Sequence, residues 1–103
     1  PMKNYTVIAG LNDKDTRTQI IDTDTAEAII AEIILKYADG ATLTRCKGIY
    51  KHQDGQTVFE NSIKCEISGI DKENAERIAA EVKNALNQES VYFSIAASDV
   101  AFI

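Results

Sequence analysis

His52 is the only histidine of the chain, so it is the first residue to consider for acid–base chemistry. It lies in the polar segment Tyr50-Lys51-His52-Gln53-Asp54-Gly55, where no nucleophilic side chain stands beside it to form a catalytic pair. The patterns HExxH, CxxC and GxSxG are absent from the sequence. We therefore interpret His52 as a polar residue at the rim of a binding site.

A transition-metal site would need this histidine together with Cys46 and Cys65, which lie on separate predicted elements. Zinc sites usually take three or four protein ligands from a closely spaced set. We therefore expect neither a metal nor a cofactor. Both cysteines are interpreted as free, buried thiols of a protein in a reducing compartment.

The segment Gly10-Leu11-Asn12-Asp13-Lys14-Asp15-Thr16 is polar and follows a predicted strand. Its acidic spacing is faintly similar to a calcium loop, but the later ligands and the glutamate at the twelfth position are absent. A single glycine is too few for a phosphate-binding loop. Long loops after strands often carry function, so Asn12 and Asp13 are candidate binding residues at one rim of a site.

Apolar periodicity divides the chain into six elements in the order βαββαβ. Strands are predicted over 5–9, 41–50, 58–67 and 90–95, and the tail 100–103 could add an edge strand. The first helix starts at Thr23 or Asp24, with Asp24 and Glu27 as a capping box, and Asp71 caps the second. The buried stripes are Ala26, Ile29, Ile30, Ile33, Ile34 and Tyr37, then Ala75, Ile78, Ala79, Val82 and Leu86.

Two amphipathic helices need one apolar sheet face to cover. The sequence therefore predicts one α+β domain over 1–103, a two-layer ferredoxin-like βαββαβ sandwich with a four-stranded, mainly antiparallel sheet and two helices on one face. The other sheet face would stay open, lined in part by Thr6, Thr42, Thr44, Tyr50 and Tyr92. Because open faces and edges are often closed by association, we expect a homo-oligomer, a dimer or higher.

Eleven basic and sixteen acidic residues give a net charge of −5. This charge disfavours general nucleic-acid binding, whose affinity comes largely from basic side chains at phosphates. A protein partner or a small anionic ligand in a local pocket is still compatible with it. No stretch approaches the roughly 20 apolar residues needed to span a bilayer, so we expect no membrane association and a cytoplasmic location, in a bacterium or in the host cell of a phage.

Pro1-Met2 ahead of a βαββαβ chain resembles the tautomerase superfamily, whose members use an N-terminal proline as general base and form trimers. That resemblance implies Pro1 as the base, with Lys3, Arg45 or Lys47 as carboxylate binders. The alternative is that Pro1 is left by a cleaved tag and that Met2 is the true start.

A more extensive resemblance is to a bacterial family of small proteins of unknown function, also represented in phages. It is carried by Gly10-Leu11, Asp39-Gly40-x-Thr42, Gly48-x-Tyr50, Gly55, Glu60 and Gln88-Glu89-Ser90-Val91. Many members have tryptophan at the position of Tyr50, and members are typically exported or lipid-anchored, whereas this chain shows no signal. The resemblance directs attention to Gly48 and, as binding candidates, to Tyr50, Glu60, Gln88, Glu89 and Ser90. The alternative is that the glycines form bulges or turns and that Glu60 and Gln88 satisfy backbone groups.

No complete set of acid, base, nucleophile and electrophile can be assembled from these residues. We therefore expect a small oligomeric binding protein without catalytic activity. By analogy with small acidic phage proteins, it could be a phage-encoded counter-defence protein that sequesters a nucleotide signal or inhibits a host protein. The two alternatives are a Pro1-dependent tautomerase and a structural or assembly protein without a ligand.

Overall fold

The computed structural model describes residues 2–103, and Pro1 lies outside the described residues. The elements follow the predicted order: β1 (Met2–Gly10), α1 (Thr23–Leu35), β2 (Thr42–Lys51), β3 (Thr57–Ser68), α2 (Lys72–Ala85) and β4 (Tyr92–Ser98). The sheet has the strand order β2-β3-β1-β4, and every neighbouring pair is antiparallel. The predicted α+β ferredoxin-like fold is therefore confirmed.

The core lies between the two helices and one face of the sheet. In β1 every second side chain from Tyr5 to Ala9 is buried, and Val7 pairs with Cys65 in the middle of β3. The helices cover this face with Ala26, Ile30, Ile33 and Ile34 from α1 and Ala75, Ile78, Ala79 and Val82 from α2. The alternation leaves the opposite face of the sheet free of helices.

The first helix begins at Thr23, one of the two predicted starts, but its cap differs from the prediction. Asp22 is its N-cap, because the Asp22 carboxylate accepts a hydrogen bond from the Thr25 N–H at 2.7 Å. The predicted capping box was wrong: Asp24 and Glu27 instead form ion pairs with Arg45, at 2.6 and 2.9 Å. In the second helix the predicted cap, Asp71, is confirmed by its bond from the Asn74 N–H.

The β2–β3 hairpin projects beyond the rest of the sheet. Gly10 at the end of β1 pairs with Ser62, and the Leu11 N–H donates to the Asn61 carbonyl, so residues 57–60 of β3 pair with β2 alone. Gly55, with φ +85°, closes the turn by donating to the His52 carbonyl at 2.9 Å. The tail 100–103 forms no strand, contrary to the prediction.

The two cysteines lie on different faces of the sheet. Cys65 is buried beneath the helices, and burial raises the pKa of its thiol to about 12. Cys46 pairs with Ser62 in the row that faces away from the helices, and its thiol is exposed. Both are free, but the expectation that both are buried was wrong for Cys46.

Candidate functional site

A cavity of about 370 Å³ opens where β1 ends and the β2–β3 hairpin projects. This volume falls within the range of about 300–1,000 Å³ that is usual for small-molecule sites. The lining includes all eight candidates from the sequence: Asn12, Asp13, Tyr50, His52, Glu60, Gln88, Glu89 and Ser90. The other lining residues, which sequence reasoning missed, are Lys14, Arg17, Lys51 and Gln53.

Glu60 lies across the open face of the sheet with its carboxyl group directly over Gly10. A Cβ atom at Gly10 would overlap both carboxyl oxygens and the carbon between them. One oxygen, Oε2, accepts a hydrogen bond from the Asn12 N–H at 3.1 Å. The other, Oε1, accepts none from residues 2–103, so it is available to a ligand.

Gly48 on β2 pairs with Glu60 and has no side chain that would fill the space beside it. A Cβ atom at Gly48 would stand 3.0 Å from the Ser62 hydroxyl oxygen and 3.4 Å from the Cγ atom of Glu60. The two glycines lie on strands on either side of β3. Together they leave a shallow channel in which the Glu60 side chain can lie flat.

The loop between β1 and α1 forms one wall of the cavity. Asn12 bridges to Gln19, and the Asp13 N–H donates to the Thr18 carbonyl at 2.8 Å. Inside this turn the Asp13 carboxylate accepts the N–H groups of Asp15 and Thr16, at 3.0 and 3.1 Å. The long polar connection is thus a folded turn whose Asp13 side chain supports its own backbone.

Asn87, just after α2, holds this turn in place. Its side-chain amide donates to the carboxylates of Asp13 and Asp15 at 2.8 and 2.9 Å, while its carbonyl accepts the Lys14 N–H at 3.0 Å. The hydrogen bond from Asn87, followed by the one from the Thr16 backbone, holds the pKa of Asp13 below its ordinary value. The left-handed backbone of Asn87, with φ 49°, suits asparagine at a helix end.

Gln88 is buried and supports the backbone next to Glu60. Its amide nitrogen donates to the carbonyls of Asn12 and Leu86, at 2.8 and 3.1 Å. Both amide hydrogens are therefore used within the protein, as the alternative interpretation of Gln88 expected. Through Asn12, the Gln88 side chain fixes the N–H group that binds Glu60.

The β2–β3 hairpin forms another wall of the cavity, to which it contributes Tyr50 and His52. Tyr50 is about two-fifths exposed and faces the same side of the sheet as Gly48. The Nδ1 atom of His52 is buried and has no hydrogen-bond partner in the described chain; the nearest acid, Asp54, has Oδ1 3.9 Å away. A ligand in the cavity could satisfy this atom.

The cavity carries charges of both signs. Asp13, Glu60 and Glu89 contribute carboxylates, and a second set of lining residues contributes cations: Lys14, Arg17 and Lys51. Arg17 has a left-handed backbone with φ 62°, a conformation that costs a non-glycine residue about 1–2 kcal/mol. The charge pattern suits a zwitterionic ligand as well as the small anion expected from the sequence.

The residues expected to bind a carboxylate in a tautomerase are not gathered at one site. Lys3 and Arg45 are far apart in the sheet. Arg45 lies level with Ala9, because both pair with Ile63 of β3, and Lys3 lies six residues, or about 20 Å, from Ala9 along β1. Arg45 is held by Asp24 and Glu27, and Lys47 donates to Asn61 at 2.9 Å. Pro1, the base of that hypothesis, lies outside the described residues.

Within residues 2–103, no three His, Cys, Asp or Glu side chains are grouped so that they could hold a metal ion. The helices of this part of the chain are too short or too polar to cross a membrane.

Comparison with solved structures gives a similar fold that is known with a nucleoside ligand. A phage SAM lyase in complex with S-methyl-5′-thioadenosine superimposes with a TM-score of 0.68 at 27% identity, covering 92% of this chain and 80% of the lyase chain. The apo state of a phage SAM lyase gives a TM-score of 0.63 at 27% identity, covering 91% and 78%. Curated proteins give no match. Residues 4–102 match the model of the family described as protein of unknown function (DUF3574), so the chain belongs to the DUF3574 family.

Proposed function

We propose that the cavity binds S-adenosylmethionine (SAM) and cleaves it to S-methyl-5′-thioadenosine. The observation that carries the proposal is the Glu60 carboxylate, laid over Gly10 with one oxygen free in a cavity of about 370 Å³. The similar phage SAM lyase supplies the ligand class, because it is described with S-methyl-5′-thioadenosine bound. Because a shared fold alone does not carry function, the proposal depends on this site.

The proposed reaction breaks the bond between the sulfonium sulfur and the γ-carbon of the methionine part. The electron pair of that bond stays on sulfur and gives the neutral thioether. The α-carboxylate of the same molecule forms the new bond to the γ-carbon, so the second product is homoserine lactone. Every atom of SAM is accounted for, and the step needs neither water nor an external base.

Glu60 serves this reaction by binding the positive end of SAM. Its free Oε1 atom can contact the sulfonium or the α-ammonium group, and opposite charges attract more strongly at a partly buried protein site than in bulk water. The ring of Tyr50 offers a second, weaker partner for a cation. The Asn12 N–H fixes the carboxylate, so little reorganisation is needed when substrate arrives.

The test is to incubate purified protein with SAM and to quantify S-methyl-5′-thioadenosine and homoserine lactone by mass spectrometry. Because SAM also decomposes without an enzyme, a protein-free sample sets the background. We expect formation well above this background and a loss of about 100-fold or more in kcat/KM for Glu60→Gln, which keeps the shape and removes the charge. A product with a β,γ double bond in place of the lactone would instead assign a base, with Glu60 as the candidate.

Native mass spectrometry of the same sample separates the remaining alternatives. Bound SAM without product would favour the sequestering, non-catalytic protein expected from the sequence, including its counter-defence form. The same spectrum reports the oligomeric state, which we propose is a dimer or higher. If neither SAM nor S-methyl-5′-thioadenosine binds, the proposed function is wrong.

A further inference from the structure

Arg17 is a cation of the cavity that the protein itself leaves unpaired. It lines the same cavity as Glu60 and Glu89, yet its guanidinium forms no ion pair within residues 2–103. The other two arginines each have a partner within the protein: Arg45 pairs with Asp24 and Glu27, and Arg77 donates to the Asn74 side chain. The free guanidinium is therefore available to a ligand.

The backbone of the loop holds Arg17 in a defined position. The Arg17 N–H donates to the Asp13 carbonyl at 2.7 Å, and the Asp13 N–H donates to the Thr18 carbonyl at 2.8 Å. Arg17 completes this turn with φ 62°, a conformation in which glycine or asparagine would be less strained. An arginine at this position is thus disfavoured by the backbone, so its presence calls for a role of the side chain.

We propose that Arg17 binds the α-carboxylate of SAM and makes the site specific for nucleosides that carry an amino-acid group. The inference rests on the proposed function and assigns one part of that same site. A guanidinium suits a carboxylate better than an ammonium does, because it is always charged and holds its N–H donors in a fixed plane, so it can fix the direction of one carboxylate oxygen. Glu60 and Glu89 then serve the positive groups of the same ligand, which explains the mixed charge of the cavity.

Arg17 acts as a specificity residue rather than a catalytic one. If the guanidinium holds one carboxylate oxygen, the other stays free to reach the γ-carbon, so the contact mainly raises affinity. S-methyl-5′-thioadenosine lacks the amino-acid group and cannot use Arg17. The product therefore loses this contact as soon as it forms, which favours its release.

The experiment compares two ligands that differ in this group. Sinefungin keeps the amino-acid group of SAM and cannot be cleaved at sulfur, whereas S-methyl-5′-thioadenosine has no carboxylate. Both are titrated by calorimetry into the full chain and into Arg17→Gln and Arg17→Gly. We expect sinefungin to bind about 10–100-fold more weakly to both variants, as for a lost charge-assisted hydrogen bond. Binding of S-methyl-5′-thioadenosine should change less than about twofold, and the KM for SAM should rise much more than kcat falls.

Arg77→Gln is the matched control, because it removes the same charge from the exposed face of α2, away from the cavity. Arg17→Gly removes the strain of the left-handed backbone, so weaker binding by this variant cannot be attributed to a misfolded loop. Unchanged sinefungin binding by both Arg17 variants, or equal weakening of both ligands, would overturn the inference while leaving the proposed function intact. If the wild-type protein binds neither ligand, both proposals fail.

Discussion

The carboxyl group of Glu60 occupies the space that any side chain at Gly10 would need. Replacing Gly10 by Ala should therefore displace Glu60 from the cavity floor. The overlapping atoms belong to the end of a flexible side chain, so the fold can adapt at little cost. We expect Gly10→Ala to lower kcat/KM about 10–100-fold, because a displaced carboxylate no longer holds the positive end of SAM in position, and small misplacements of positioning groups have effects of this size. Steady-state kinetics with SAM and a thermal melt measure both consequences.

Gly40→Ala is the control for this prediction, because nothing lies within 4 Å of a Cβ atom at Gly40. Its kcat and KM should equal those of the wild-type protein, and its melting temperature should agree within a few degrees. Equal activity of Gly10→Ala and the wild-type protein would mean that the observed position of Glu60 is not needed for catalysis.

Some of the candidate residues could be found from residue type alone, and others could not. Glu60 and Tyr50 were selected through a family resemblance, and the structure brings them to one cavity with His52 from the same hairpin. Arg17 was missed because a single basic residue in a polar loop carries no local signal. A bulge or turn was the alternative interpretation of Gly48, yet Gly48 pairs regularly with Glu60. The reason for a glycine there is the space taken by Ser62 and Glu60 on the neighbouring strand, which the local sequence does not show.

At the scale of elements, the end of α2 and the loop after β1 form one unit through Asn87 and Asp13. The hydrogen bond from Asn87 lowers the pKa of Asp13, so the folded state prefers the ionised carboxylate. The resulting stabilisation is complete above the ordinary pKa of 3.8 and is lost as the pH falls through the lower folded value.

Asp13→Asn should therefore lower the melting temperature at pH 6 and have progressively less effect below about pH 3.8. Melts of both proteins from pH 2.5 to 6, by roughly half-unit steps, measure the difference. Asp39→Asn, at an exposed position after α1, should follow the wild-type curve throughout. A constant gap between Asp13→Asn and the wild-type protein at every pH would show that the ionised carboxylate is not the stabilising group.

The elements themselves were more predictable than their ends. Apolar residues at helical spacing mark the face of a helix that packs on the sheet, so the core positions of α1 could be predicted from the sequence. The cap could not, because Asp22 and Asp24 have the same side chain and only the path of the preceding loop decides between them. The last strand begins at Tyr92 and extends to Ser98, since its limits are set by pairing with Ile8 and Met2 of a distant strand.

At the scale of the whole molecule, the two helices and the sheet share one core, so a charge placed there should unfold the chain cooperatively. Ile33 is 8% exposed within that core, whereas Leu35, two residues later on the same helix, is 63% exposed. Ile33→Asp buries an unpaired carboxylate at a cost of about 4 kcal/mol or more. This is a large part of the roughly 5–15 kcal/mol that stabilises a small domain.

We expect Ile33→Asp to be unfolded or insoluble and Leu35→Asp to melt cooperatively a few degrees below the wild-type protein. Circular dichroism and one-dimensional NMR of the pair separate the two cases, and both variants add the same charge to the same helix. A folded Ile33→Asp protein would mean that α1 can turn or detach without loss of the sheet. The cavity would then survive the detachment of α1 as well, because Glu60, Gly10 and Gly48 belong to strands. Cleavage of SAM by the Ile33→Asp protein would be the most sensitive sign that the sheet folds without α1.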